Sequence, residues 1–192
     1  MNIYLLRHTS LSVKENTFYG QTDLDVSHNF LSELTIIKKK LLKFNIMKNK
    51  PIVFSSPLIR CKKLSEKLFV NFEIDNRLKE LDFGDWEMKH ISSIDKSEIK
   101  SWESDIINFQ IPNGESNIMF FNRLKSFCDE KIKLKKNIFI VAHAGSINCI
   151  ISYLTKIPFD QLVKDNWKRI SYGSLSILSK KTNKFSIDFL GV

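Results

Sequence analysis

Short apolar runs alternate with segments of helical periodicity, and this alternation constrains the fold more than any other feature. Residues 3–6, 52–54 and 138–142 form continuous apolar runs, which are typical of strands buried on both faces. Between and after them, apolar residues recur at steps of three or four, as in amphipathic helices. These helical segments cover residues 30–44, 61–68, 120–128 and 147–154. We therefore predict an α/β fold, a three-layer α/β/α sandwich with a mainly parallel central sheet.

The end of the chain shows a different pattern. Residues 175–178 and 185–189 are two strand-like runs joined by a short polar segment, and they predict a hairpin that closes one edge of the sheet. No linker rich in Gly, Ser or Pro divides the 192 residues, and no internal repeat is visible. We expect one domain covering residues 1–192.

The positive charge is carried mostly by lysine. Of 30 basic residues only five are arginine, and the net charge is +9. The lysines lie in small clusters beside apolar segments, as on a solvated surface, and no nucleic-acid-binding module is present. We therefore expect no nucleic-acid partner, although a positive field favours encounter with a small anionic substrate.

The apolar content and the cysteines bear on the compartment. A hydrophobic fraction of 43% is ordinary for a globular protein, and no apolar run is long enough for a membrane span. The first apolar run reaches Arg7 before a signal-peptide core could form. The odd number of cysteines, three, favours free thiols in a reducing environment. We expect a cytoplasmic protein without a membrane partner.

Three polar motifs follow predicted strands and are candidates for chemistry. His8, beside the guanidinium of Arg7, could attack phosphorus, although a strand-end histidine capped by backbone is the alternative. Arg60 lies about one turn into a helix after Pro57 and would point back to the strand ends, unless it is a surface arginine. His143 ends another buried strand just before a helix start, where free N–H groups favour an anion.

An acidic loop supplies a fourth candidate. Residues 78–87 hold several carboxylates around a glycine, and such loops are usually only solvated. Beside two histidines and two arginines, a protonated carboxylate could give a leaving group its proton. Glu80 is our choice for this role, and Asp82 two residues later is the alternative.

Taken in order, these motifs resemble a known family. Arg7-His8-Thr9, Ser56-Pro57 with Arg60, the Glu80 loop and His143-Ala144-Gly145 are similar to the histidine phosphatase superfamily, phosphoglycerate mutase-like branch. The resemblance runs from residue 2 to about residue 178. Within the branch, residues 19–23, 83–87 and 112–116 most resemble the α-ribazole phosphatases of cobalamin nucleotide-loop assembly. Thr9 and Met88 stand where the family more often has glycine.

The resemblance implies a mechanism. His8 would be the nucleophile that forms a phosphohistidine, His143 would stabilise the transferring group, and Arg7 and Arg60 would bind its oxygens. Glu80 would be the general acid. Secondary contacts to the substrate would come from Gln21, Thr22 and Ser56.

The resemblance also implies the ligands. We expect a small-molecule phosphate ester, no metal and no cofactor, and we leave a homodimer open. Tyr19, Phe83 and Trp86 lie in two of the three subfamily loops and could offer flat faces to an aromatic base, or they could simply pack onto the core. The alternatives to an α-ribazole phosphatase are a general small-molecule histidine phosphatase, a phosphoglycerate mutase, which would retain the phosphohistidine, and an inactive binder of phosphorylated ligands.

Overall fold

The computed structural model describes residues 1–166, 169–182 and 184–192, and only the backbone at residues 163–166. Its centre is one six-stranded sheet with the strand order β3-β2-β4-β1-β5-β6. The strands are β1 (Asn2–Arg7), β2 (Ile52–Ser55), β3 (Glu73–Ile74), β4 (Ile138–Ala142), β5 (Leu175–Lys181) and β6 (Lys184–Phe189). The first four pair in parallel, and β5 and β6 complete the sheet as an antiparallel hairpin. The predicted α/β fold with a mainly parallel sheet is confirmed.

Helices cover both faces of this sheet. They are α1 (Phe30–Lys43), α2 (Ile59–Leu68), α3 (Lys96–Ser104), α4 (Asn117–Lys131), α5 (Ala144–Thr155) and α6 (Phe159–Asn166). Alternate residues of β1 point to opposite sides, as the pleat of a strand requires. Ile3 and Leu5 belong to the core that contains α4 and α5, whereas Tyr4 and Leu6 belong to the core that contains α1 and α2.

The pattern of apolar residues missed two helices. Helix α3 buries none of its residues, so its sequence carries no complete apolar stripe. Its start is fixed instead by the carboxylate of Asp95, which accepts a hydrogen bond from the N–H of Ser97 at 2.7 Å. Helix α6 has only eight residues, too few for a clear periodicity. In the part of the chain that the structure describes, no helix combines the length and apolar content needed to cross a membrane.

The register of the parallel strands brings three sequence motifs to one edge. Arg7 of β1 lies opposite Ala142 of β4, and Ser55 of β2 lies opposite Val141. The residues that follow each strand therefore emerge together, at the carboxyl edge where α/β folds place their ligands. His8, Ser56 and His143 all occupy this edge.

Of the three aromatic residues that could either face a ligand or pack onto the core, two pack onto the core. Trp86 is 1% exposed, its ring packs beside those of Phe18 and Phe109, and its indole N–H donates to Glu98 at 2.8 Å. Phe83 is partly buried, with its ring 5.0 Å from that of Phe18. These positions favour the alternative in which Phe83 and Trp86 pack onto the core, where their rings anchor the loop.

Candidate active site

Among the described residues, only one of the two ring nitrogens of His8 has a hydrogen-bond partner. The side chain is 1% exposed, and its Nδ1 lies 2.7 Å from the carbonyl oxygen of Thr9. Because a carbonyl oxygen only accepts, Nδ1 must carry the proton, and Nε2 is left with a lone pair. The His143 ring lies 5.2 Å away between centroids. The strand-end histidine is thus held by backbone on one side and available as a nucleophile on the other.

Arg60 joins three segments at the centre of the site. It is the second residue of α2, is 0% exposed and donates from Nη1 to the carbonyl of Thr22 and from Nη2 to the carbonyl of Gly20, at 2.8 and 2.6 Å. Its Nε donates to Nδ1 of His143 at 3.2 Å. A guanidinium has five N–H groups, so two remain for an anion. The interpretation as a surface arginine does not fit this burial.

The bond from Arg60 also fixes the state of His143. Because Nδ1 of His143 accepts from Arg60, its proton lies on Nε2, which is 2.8 Å from the hydroxyl of Ser56. The Ser56 oxygen accepts a hydrogen bond from this N–H, which leaves the Ser56 hydroxyl proton for donation to another acceptor. The three side chains therefore form a chain of donors that ends in a hydroxyl at the carboxyl edge.

Arg7 is held by one side-chain hydrogen bond, and its buried Nε is left unpaired among the described residues. Its Nη1 donates to the carbonyl of Ile170 at 2.7 Å, and its guanidinium lies 4.0 Å from the ring centre of Tyr172. The buried Nε has no hydrogen-bond partner among the described residues. An unpaired buried donor costs stability, so an N–H in this state beside His8 fits a site that takes up an anion.

Burial and the neighbouring cations keep both histidines neutral. Loss of hydration on burial, followed by the charges of Arg7 and Arg60, lowers the pKa of His8 well below its usual value of 6.5. Burial and the charge of Arg60 lower the pKa of His143 in the same direction. At neutral pH the lone pair on His8 Nε2 is therefore not blocked by a proton.

Glu80 reaches the site through the start of α5. Its Oε2 accepts from the N–H of Gly145 at 2.9 Å, two residues after His143. A Cβ at Gly145 would lie 2.4 Å from Glu80 Oε1, so only glycine allows this approach. Asp82 instead accepts from the N–H of Gly84 within its own loop at 2.9 Å. These contacts place Glu80, and not Asp82, at the start of α5 beside His143, and they show that a carboxylate already occupies the helix start that we expected to attract an anion.

Gln21 and Thr22 contact Glu87. The N–H groups of Gln21 and Thr22 donate to this carboxylate at 2.8 and 3.3 Å, and the Thr22 hydroxyl donates to it at 2.5 Å. The side-chain amide of Gln21 donates to the carbonyl of Glu80 at 3.2 Å. In this arrangement the two residues shape the site through the backbone loop that Arg60 binds. Direct contact with a phosphate stays a prediction for both.

Glu87 is a positioning residue that lies in the acidic loop at residues 78–87 but is not among the predicted catalytic residues. It also accepts from the N–H groups of Gly20 and Phe83. Burial opposes its ionisation, but the hydrogen bonds from Gly20 and Thr22 are strong enough to hold the pKa of Glu87 below its ordinary value. The Glu87 carboxylate therefore fixes the loop at residues 20–22. The carbonyl groups of this loop in turn accept hydrogen bonds from Arg60. Nothing in the spacing of the sequence indicates this, because the loop and Glu87 are 65 or more residues apart.

A second clamp holds the backbone of the Glu80 loop. Arg123 on α4 donates to the carbonyls of Arg77, Lys79 and Glu80 at 2.6 to 2.8 Å. Its guanidinium is paired with Glu115 through two nitrogens, at 2.7 and 2.8 Å. Such bidentate pairing fixes geometry as well as charge. No local pattern in the sequence distinguishes Arg123 from a surface arginine.

Replacing Glu87 by Gln should weaken phosphate binding. Gln removes the charge and turns an NH₂ group toward N–H donors, so the loop at residues 20–22 loses its anchor and Arg60 loses its two carbonyl partners. Charge-assisted hydrogen bonds contribute about 1.5–3 kcal/mol, so we expect the Kd for inorganic phosphate to rise about tenfold or more. Isothermal titration calorimetry measures this directly.

Glu98→Gln is the matched control for this experiment. Glu98 also accepts a hydrogen bond near the loop, from Trp86, but it holds no segment that contacts Arg60. Its Kd should stay within about twofold of the parent, by the usual size of effects away from special contacts. A Glu87→Gln protein that is folded by circular dichroism and binds phosphate like the parent would contradict the role of Glu87.

Comparison with known proteins bears on the family. A protein of Hydrogenobacter thermophilus, provisionally named phosphoserine phosphatase 2, is 32% identical over 170 residues, which are 83% of this chain and 81% of the relative. A provisionally named phosphoglycerate mutase GpmB of Salmonella choleraesuis is 24% identical over 82% of this chain and 76% of its own. The crystal structure of the α-ribazole phosphatase from Shigella flexneri has the same fold, with a TM-score of 0.85 at 21% identity over 100% of this chain and 96% of that one.

A family-level comparison covers almost the whole sequence. The description of the histidine phosphatase superfamily (branch 1) matches residues 3–192. This range includes every residue of the site described above. The chain therefore belongs to branch 1 of the histidine phosphatase superfamily.

Proposed function

We propose that the protein is a phosphomonoesterase that works through a phosphohistidine on His8, and that its substrate is α-ribazole 5′-phosphate. The observation that carries the proposal is the free Nε2 of a neutral, buried His8 that lies beside Arg7 and His143. This constellation offers a nucleophile and fixed positive charge for one phosphoryl group.

The first step transfers the phosphoryl group. The lone pair of His8 Nε2 attacks phosphorus, the bond from phosphorus to the alcohol oxygen breaks, and Glu80 in its acid form gives that oxygen a proton. Arg7 and Arg60 bind the equatorial oxygens, and the donor chain through His143 reaches them from one side. In the second step Glu80 takes a proton from water, the water oxygen bonds to phosphorus, and the bond to His8 breaks to release inorganic phosphate.

Similarity to relatives supports a phosphatase over a mutase. The relative named for phosphoserine phosphatase is 32% identical, whereas the relative named for phosphoglycerate mutase is 24% identical. The α-ribazole ester rests on the three subfamily loops at residues 19–23, 83–87 and 112–116. Phosphoserine is the second candidate substrate, favoured by the more similar of these relatives. We place the activity in the cytoplasm, in keeping with three free cysteines at positions 61, 128 and 149.

A substrate comparison tests the assignment. kcat/KM for α-ribazole 5′-phosphate should exceed that for ribose 5-phosphate by at least about fivefold, because one aromatic contact contributes on the order of 1 kcal/mol. The measurement is phosphate release from purified protein, with phosphoserine and 3-phosphoglycerate alongside. Equal values for α-ribazole 5′-phosphate and ribose 5-phosphate, or a preference for either of the other two esters, would remove the α-ribazole assignment and keep the phosphatase.

Glu80→Gln tests the acid. The variant should lose about 10²- to 10⁴-fold in kcat on alkyl phosphates and much less on an aryl phosphate, whose leaving oxygen needs little protonation. Steady-state rates on 4-nitrophenyl phosphate and an alkyl phosphate give the comparison, and Asp82→Asn is the matched control. Equal losses on both esters would exclude this role for Glu80, and a selective loss in Asp82→Asn would move the role to Asp82.

A further inference from the structure

Two tyrosines form a bridge over the phosphate-binding groups. The hydroxyls of Tyr19 and Tyr172 are hydrogen-bonded to each other. The Tyr172 ring centre lies 4.0 Å from Cζ of Arg7 and 5.5 Å from the His8 ring centre. The Tyr19 ring centre lies 6.0 Å from Cζ of Arg60. The bridge therefore runs from one guanidinium to the other, and the mechanism above gives it no role.

The backbone on either side of the bridge is tied to the catalytic residues. Tyr19 is followed by Gly20, whose carbonyl accepts from Arg60 at 2.6 Å. The other tyrosine is followed by Gly173, whose N–H donates to the carbonyl of His8 at 3.0 Å. Gly173 has a φ of 63°, in the left-handed region that glycine adopts readily. Both rings therefore project from backbone that is tied to the catalytic residues, and their hydroxyls are hydrogen-bonded to each other.

The bridge lies at the boundary between the buried reacting groups and solvent. His8, His143 and Arg60 are at most 1% exposed, whereas Tyr172 is 36% exposed. In an in-line displacement the alcohol leaves from the side of phosphorus opposite the nucleophile. The alcohol half of an ester bound to His8 therefore projects away from this buried cluster, toward the region bordered by the two rings.

The chemistry of the bridge favours one kind of alcohol. Aromatic faces pack well against flat, weakly hydrated rings and give nothing to a carboxylate. Two hydroxyls carry two protons, but only one can lie between them, so the second is left to donate to an oxygen of a bound ligand. Burial raises the pKa of Tyr19, which keeps its phenol protonated and able to donate.

We propose that Tyr19 and Tyr172 form a specificity wall against which a ring in the alcohol half of the substrate packs. The inference rests on the proposed phosphatase function and deepens it by naming the residues that select the alcohol half of the substrate and the class of alcohol that they select. Esters of ring-bearing alcohols, such as nucleoside phosphates, belong to this class. Short anionic esters such as phosphoserine and 3-phosphoglycerate do not.

The test compares benzyl phosphate with cyclohexylmethyl phosphate. Both are esters of primary alcohols with the same carbon skeleton, and only one ring is flat and aromatic. The ratio of their kcat/KM values cancels any change in the phosphate-binding groups, which act equally on both. In the parent we expect a ratio of about three to ten in favour of the benzyl ester, the range that one aromatic contact supplies.

Variants assign the preference to the wall. Tyr19→Phe and Tyr172→Phe keep the rings and should keep the ratio within about twofold. Tyr19→Leu and Tyr172→Leu remove a ring but stay apolar, and at least one of them should bring the ratio close to one. Tyr153→Leu is the matched control, since Tyr153 packs against Phe121 and bonds Asp129 on the α4–α5 face, so its ratio should equal that of the parent.

A binding measurement on the parent does not depend on any variant folding. Benzylphosphonate should bind about three- to tenfold more tightly than cyclohexylmethylphosphonate, by the same contact. Equal affinities, or a benzyl preference that persists in both leucine variants, would overturn the wall and leave the phosphatase intact. Failure to hydrolyse any phosphate ester, with the benzylphosphonate preference present, would overturn the phosphatase and not the wall.

Discussion

The buried guanidinium of Arg60 is the interaction on which the rest of the site depends. A cation without exposure to water is stable only when its donors and its charge are compensated. Its partners are the carbonyls of Gly20 and Thr22 and the imidazole of His143, which come from different parts of the chain. The carboxylate of Glu87, on the far side of the same loop, supplies negative charge nearby. Loop, helix and strand end thus meet at one side chain.

This arrangement explains the division of labour among the charged residues. Three N–H groups of Arg60 donate to protein acceptors. Arg7 donates one side-chain hydrogen bond, to the carbonyl of Ile170, and its Nε is unpaired among the described residues. Arg7 is therefore the freer of the two to follow the phosphoryl group as its geometry changes, and Arg60 is the fixed reference. Burial, and after it the two cations, lower the pKa of His8, which keeps the nucleophile unprotonated without a dedicated base.

Much of the fold could be predicted from periodicity alone. Continuous apolar runs gave β1, β2 and β4, because parallel strands are buried on both faces and show no alternation. Helices α1, α2, α4 and α5 were visible because each carries an apolar stripe that packs on the sheet. Helix α3 was not visible, because only Ile99 and Trp102 pack against the core and neither is fully buried, so the apolar stripe is too short to show a period.

The site was predictable where side chains follow directly on strands, and not where they arrive from elsewhere. His8 and His143 end buried strands, so the sheet register alone places them together. Tyr172 and Arg123 reach the site from a turn and from a helix face, and no local pattern separates them from surface residues. The same limit applies to Trp86, whose motif is visible in the sequence but whose burial depends on distant aromatic neighbours.

The central claim is that His8 carries the phosphoryl group, and one measurement tests it most directly. The enzyme is mixed with phosphate-labelled substrate under single-turnover conditions, quenched in base within one turnover, digested and mapped by mass spectrometry. The account predicts an acid-labile, base-stable phosphoryl group on Nε2 of His8, formed and lost at rates that match turnover. Label on His143, or hydrolysis that proceeds with no phosphoenzyme at any time point, would contradict it.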